Sequence, residues 1–142
     1  MSRWIDVLVV EDNDADVELM QVILEDEALP YRLHVAPDGE AALNFLRQGA
    51  PVPQLVILDF NMPRLSGLDV LRALREEGLH APTVVMFTSS EAKQDRQGAL
   101  DLGAAAYVVK PVSFDAFSQA LMDILHRYTS AVHQSGSRAP TS

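Results

Sequence analysis

An acidic pair, Glu11-Asp12, a lone Asp59, a hydroxyl, Thr88, and an ammonium, Lys110, each stand directly after a short run of mostly apolar residues. The runs are Ile5–Val10, Leu55–Leu58, Thr83–Phe87 and Ala105–Val109. If they are parallel strands of one sheet, all of these side chains gather at its C-terminal edge. Three carboxylates in one cleft repel each other and need compensation. A hard divalent cation with oxygen ligands supplies it, and Mg²⁺ suits a site that keeps several waters and a phosphate oxygen. Lys110 adds a second positive charge and Thr88 a hydroxyl donor. With the ion bound, Asp59 reads as a nucleophile toward phosphorus, the cation and Lys110 neutralising the equatorial oxygens of a loose transition state. Each residue alone has an ordinary explanation. Polar residues after strands form turns, Thr88 could cap the next helix beside Ser89 and Ser90, and Lys110 could be a solvated surface charge. It is their joint occurrence on successive strand ends that points to chemistry.

The elements that must position them alternate between two periods. The apolar runs are rich in β-branched residues and suit strands buried on both faces of a parallel sheet, with Tyr31–Ala36 a weaker strand. Between them lie helical patterns. Asp14–Glu27 places Val17, Met20, Ile23 and Leu24 on one face, and Asp38–Arg47 turns Ala42, Leu43 and Leu46 inward. Ser66–Glu77 opens on a capping Ser, and Ala92–Leu102 stops at Gly103. Ser113 caps a last helix carrying Phe114, Phe117, Leu121, Ile124, Leu125 and Tyr128. Five strands alternating with five helices predict a doubly wound α/β domain whose right-handed crossovers make the strands parallel.

Composition narrows the function classes. A chain of 142 residues fits one domain, here residues 1–128, followed by a flexible tail over 129–142 whose last part is rich in Ser, Gly, Pro and Thr. The absence of cysteine excludes disulfides, thiolate metal sites and a Cys nucleophile. No stretch reads as a signal peptide, and no apolar run approaches the ~20 residues of a membrane helix, so no membrane partner is expected and the cytoplasm is the expected location. A net charge of −9, with scattered Lys and Arg, gives no footprint for nucleic acid. His34, His80, His126 and His133 share no metal spacing and read as surface or packing residues, and Trp4 is expected to cover the N-terminal edge of the core. No phosphate-binding glycine loop supports nucleotide hydrolysis.

The segments Val9-Val10-Glu11-Asp12-Asn13, Asp59-Phe60-Asn61-Met62-Pro63, Ser66-Gly67 and Lys110-Pro111 resemble, in order and spacing, the receiver domain of two-component response regulators over about residues 4–127. The resemblance implies a flavodoxin-like sheet of strand order 2-1-3-4-5 flanked by five helices. It implies Asp59 as phosphoacceptor, Thr88 as switch hydroxyl, Lys110 as phosphate-binding lysine and Tyr107 as aromatic switch. It further implies Mg²⁺ held by Asp12, Asp59 and the Asn61 carbonyl, Glu11 acting through a water, and a cis bond before Pro111. Ser89 departs from the Ala or Gly of many receivers, which bears on phosphate access and lifetime. The text around Glu11–Val17 and Leu58–Pro63 is similar to small receivers that serve phytochrome-type histidine kinases.

The resemblance implies a phosphoacceptor rather than an enzyme. Its partners would be a sensor histidine kinase, of bacteriophytochrome type, and a downstream protein or histidine phosphotransfer protein. Two other readings compete. A phosphohydrolase with an Asp nucleophile needs a second acid two residues on, where Asn61 stands. A phosphate-independent binding module would not need all the site residues present here. Finally, the apolar stripe of the last helix looks wider than one core face, which predicts a homodimer through Phe117, Leu121, Ile124 and Tyr128.

Overall fold

The structure is a computed structural model that describes residues 4–27, 29–79 and 83–129. The tail from residue 130 on lies outside the described residues, as do His80 and His133. Strands and helices alternate as β1 (Ile5–Val10), α1 (Asp14–Asp26), β2 (Tyr31–Ala36), α2 (Gly39–Arg47), β3 (Leu55–Leu58), α3 (Gly67–Glu77), β4 (Val84–Thr88), α4 (Lys93–Asp101), β5 (Ala106–Val109) and α5 (Phe114–Tyr128). The sheet runs β2-β1-β3-β4-β5 with every pairing parallel. This is the doubly wound, flavodoxin-like architecture expected from the sequence.

Successive strand side chains point to opposite faces, and the core divides accordingly. Leu8, Val10, Val56, Leu58, Val84 and Met86 pack beneath α2, α3 and α4. Val7, Val9, Leu55, Ile57, Val85 and Phe87 pack against α1 and α5. The edge strand β2 reads weakly in the sequence because it is half-exposed and polar. Its Arg32 Nε and His34 Nε2 lie 2.7 and 2.8 Å from Asp6 Oδ1 on β1, and the His34 ring tilts onto Phe45 at 5.0 Å. Burial opposes ionisation of Asp6, but these two partners outweigh it and hold its carboxyl below the usual value. Helix starts follow the capping residues of the sequence: Asn13, Asp38, Ser66 and Ser113 each accept a backbone N–H of the first turn, and Ser66 forms a full capping box with Asp69.

Two expectations fail. Trp4 does not cover the core edge: it is half-exposed, with the Arg32 guanidinium 5.4 Å from its ring centroid. The wide apolar stripe of α5 is not an exposed face either, since Phe117, Leu121, Ile124 and Leu125 are all buried in the molecule's own core. At 3.6 residues per turn those positions and Tyr128 span only about 100°, the width of an ordinary core stripe. Phe114 is exposed because it sits at the first position of the helix. Beyond α5, Thr129 is buried, its hydroxyl donating to the Leu125 carbonyl at 2.7 Å and lying 3.4 Å from Tyr31 Oη.

One glycine ties the fold to the sheet edge. The Gly67 amide donates to the Phe60 carbonyl at 2.8 Å. A Cβ at Gly67 would lie 2.6 Å from the Asp59 carbonyl oxygen, 2.8 Å from Met86 Cε and 3.0 Å from Phe60 Cα. Two of those neighbours are backbone and cannot rotate away. Gly67→Ala is therefore expected to destabilise the protein by about 1–3 kcal/mol, the usual cost of overpacking. Urea unfolding checks this: the midpoint should drop with the slope unchanged, and an unaltered midpoint would contradict the close approach.

Candidate functional site

The strands end nearly level, because Val10 pairs with Leu58, Leu58 with Met86 and Thr88 with Val109. The backbone ladder continues one residue further. The Asp59 amide donates to the Val10 carbonyl, Glu11 to Ala36 and Lys110 to Thr88, at 3.0, 3.0 and 2.7 Å. Side chains adjacent in this ladder must face one another, so the chemistry predicted at the strand ends converges in space. A cleft of ≈ 570 Å³ opens there, lined by Glu11, Asp12, Asp16, Asp59, Asn61 and Lys110 among others.

Glu11 is buried and fully engaged. Its Oε1 accepts from Lys110 Nζ at 2.6 Å and its Oε2 from the Asn13 amide at 3.1 Å. Asp59 is buried too, its Oδ1 accepting from the Phe60 amide at 2.8 Å and lying 4.0 Å from Lys110 Nζ. Asp12 and Asn61 are exposed at the mouth. Oxygens of Glu11, Asp12 and Asp59 lie within 4.8 Å of one another. That donor set is all oxygen, hard and anionic, and it fits a divalent cation.

Burial pushes the Glu11 carboxyl up to about 7, in spite of the hydrogen bond from Lys110, and the Asp59 charge adds to the rise. Lys110 keeps its proton more firmly than an ordinary lysine. Desolvation works against its charge, but hydrogen bonds to Asp16 and Glu11 and the charges of Asp59 and Glu11 outweigh that penalty.

Thr88, the last residue of β4, is fully buried, its Oγ1 accepting from the Ser90 amide at 3.2 Å. Tyr107 is buried, and its hydroxyl donates to the Ser90 carbonyl at 3.0 Å. The two residues named as switch elements therefore meet at one loop residue. Ser90 is further held by its hydroxyl, which donates to Asp95 Oδ2 at 2.6 Å.

The structure thus gathers Glu11, Asp12, Asp59, Asn61 and Lys110 in one cleft, while Thr88 and Tyr107 are buried outside its lining and joined through Ser90. It corrects the expected cis bond before Pro111. Among the described residues the cis peptide is Ala50–Pro51, and Lys110–Pro111 is trans. Trans is the ground state of X–Pro bonds by about 0.5–1 kcal/mol, and Lys110 Nζ reaches its carboxylates from it. Two residues escaped the sequence reading. Asp16 Oδ2 accepts from Lys110 Nζ at 2.8 Å, and Ser90 links the switch positions. Asp16 was readable as an acid one helical turn beyond Asp12, at the start of α1. Ser90 carried no signal beyond closeness to Thr88.

With that geometry in place, comparison with known proteins is direct. The pattern of the response regulator receiver domain matches residues 7–122, and the chain belongs to that family. The phosphorylated cyanobacterial phytochrome response regulator RcpA superposes with a TM-score of 0.81 at 29 % identity, over 87 % of this chain and 92 % of that one. The Mn²⁺-bound form of response regulator Rcp1 gives 0.79 at 27 % identity, over 96 % and 99 %. The alkaline phosphatase synthesis transcriptional regulatory protein SphR of Synechococcus elongatus is 35 % identical over 112 residues, 74 % of this chain and 42 % of SphR. The chain thus spans less than half the length of that relative. Among the described residues no helix is long and apolar enough to cross a membrane.

The raised Glu11 carboxyl has a measurable consequence. Between its ordinary value of 4.5 and about 7, the folded protein holds a proton that the unfolded chain has released. Stability without metal is thus expected to fall as pH rises through that window. A divalent cation offsets the cost of the buried, ionised carboxylate, so the rise in melting temperature from millimolar Mg²⁺ should be larger near about pH 8 than near about pH 5.5. Equal gains at both pH values would remove Glu11 from the ion's surroundings.

Proposed function

We propose that Asp59 accepts a phosphoryl group from a phosphohistidine of a sensor kinase, and that the modified domain then presents an altered surface to a protein partner. The observation that carries this is the Lys110 ammonium 4.0 Å from Asp59 Oδ1, inside a cluster of carboxylates at the strand ends. An Asp59 oxygen would attack phosphorus as the P–N bond to the imidazole breaks, the leaving nitrogen keeping the electron pair. Lys110 would meet the charge on one equatorial oxygen. Asp12, Asp59 and the Asn61 carbonyl would hold Mg²⁺, with Glu11 behind them, and the bound ion would supply further charge neutralisation. Asn61 stands two residues after the acceptor, where a hydrolase would need an acid. That supports a phosphoacceptor over a turnover enzyme.

The switch would run through Ser90. A phosphoryl oxygen competes for the Thr88 hydroxyl, and moving Thr88 loosens the Ser90 amide it now accepts from. Tyr107 holds the carbonyl of the same residue, so the β4–α4 loop and the aromatic ring would shift together. Likeness to the phytochrome response regulator RcpA supports a kinase of phytochrome type; a cytoplasmic setting and a protein or histidine phosphotransfer partner complete this reading. The net charge of −9 supports no role for nucleic acid.

Asp59→Asn is expected to abolish phosphorylation with the fold retained. Intact mass after incubation with acetyl phosphate and Mg²⁺ checks it, and a variant labelled as readily as wild type would refute the assignment.

A homodimer also stays in view, on a face moved outward from the one predicted. Half-buried Ala106, Val108, Ala120 and Tyr128 border a shallow apolar hollow, with Asp123 and Arg127 beside it. The edge strand β5 runs along it, and a two-fold axis there would pair Asp123 of each copy with Arg127 of the other. Sedimentation at tens of micromolar is expected to show a dimer that Ala120→Glu dissociates. A monomeric wild type, phosphorylated or not, would end this reading.

A further inference from the structure

Asp16 lies outside the set of carboxylates close enough together to share one cation, yet it holds the cleft's ammonium. Among the described residues that set is Glu11, Asp12 and Asp59. Asp16 Oδ2 accepts from Lys110 Nζ at 2.8 Å, with Glu11 Oε1 accepting at 2.6 Å. An ammonium has three donors, so one remains. The nearest Asp59 oxygen is 4.0 Å away, too far for a direct bond. That gap is one that an oxygen of a phosphorus attached to Asp59 would fill.

Both tethers are themselves fixed. The Asn13 amide donates to Glu11 Oε2 at 3.1 Å, and Asn13 Oδ1 accepts from the Asp16 amide at 3.1 Å. The N-cap residue of α1 thus holds the Glu11 carboxylate with its own amide and the Asp16 backbone with its side chain. The Lys110 side chain is only 10 % exposed, so its long stem is confined as well.

We infer that Asp16 is a positioning residue for phosphoryl transfer: with Glu11 it presets the Lys110 ammonium so that its remaining donor meets the phosphoryl oxygen on Asp59. This rests on Asp59 as the acceptor. Asp16 touches neither the acceptor nor the transferred group and acts through Lys110. An untethered lysine would have to be ordered during the reaction, and that lost preorganisation slows the step.

A double-mutant cycle tests it, with wild type, Asp16→Ala, Lys110→Ala and the double variant phosphorylated by acetyl phosphate and Mg²⁺. Asp16→Ala should slow phosphorylation about tenfold, and in the Lys110→Ala background the same change should have little effect. Asp16→Asn, which keeps an acceptor oxygen, should recover part of the rate. Calorimetric Mg²⁺ affinity should stay near wild type, which general damage to the cleft would not allow. In parallel, heteronuclear NMR should show the side-chain ammonium resonance of Lys110 in wild type and lose it in Asp16→Ala, a readout independent of any phosphorylation. An equal slowing in both backgrounds, an unchanged rate in Asp16→Ala, or an unchanged Lys110 resonance would overturn the inference. Labelling of Asp59→Asn, or a wild type that takes no phosphoryl group, would instead strike the acceptor reading and take this inference with it.

Discussion

Lys110 carries its ammonium into a nest of carboxylates, and the working edge of the sheet is organised around that charge. Without it, buried Glu11 and Asp59 would face each other with exposed Asp12 nearby, and repulsion in a partly desolvated cleft would oppose folding. The ammonium does not neutralise the cluster. It takes two of the anionic oxygens, on Glu11 and Asp16, and stops 4.0 Å short of Asp59. The Asp59 carboxylate is thereby left to its own neighbouring amide and to whatever arrives from solvent. The proposed transfer to Asp59 needs this imbalance, since a carboxylate fully paired in a salt bridge would be a poor nucleophile.

The surrounding fold keeps that arrangement from relaxing. Parallel pairing continues one residue beyond each strand, so Glu11, Asp59 and Lys110 inherit the rigidity of the ladder. Gly67 lets α3 approach the Asp59 backbone closely enough for its amide to bond Phe60, which closes the turn after the acceptor. Asn13 caps α1 through the Asp16 amide and bonds the Glu11 carboxylate with its own amide. On the far side, Thr88 and Tyr107 both bond Ser90, so a change in the cleft has a short mechanical route to the β4–α4 loop. The route is a chain of hydrogen bonds with defined donors, each of which can be broken singly.

The elements came through in the sequence because the strong signals are local. β1, β3 and β4 are apolar on both faces, which leaves little ambiguity of period, and the capping residues before α1, α2, α3 and α5 mark their starts. The misses are positional. The α5 apolar residues are numerous along the chain, yet around the helix axis they fall on one core face. Trp4 looked like a core lid because it is large and apolar, but at the strand's start it stacks on Arg32 instead.

The sequence by itself determined which side chains stand at the ends of which strands, and a parallel sheet then brings Glu11, Asp12, Asp59, Thr88 and Lys110 together. The parallel direction follows from the helices between the strands, since right-handed crossovers return each strand in the same sense, and those helices are written in the chain. Only the tertiary structure decided how the charges share one another. That Lys110 prefers Glu11 and Asp16 to Asp59, that Thr88 and Tyr107 meet at Ser90, and that Lys110–Pro111 is trans depend on distances of a few tenths of an ångström between residues far apart in the chain. Hydrogen bonds and ion pairs are decided at that scale, whereas periodicity reports only which face a side chain occupies.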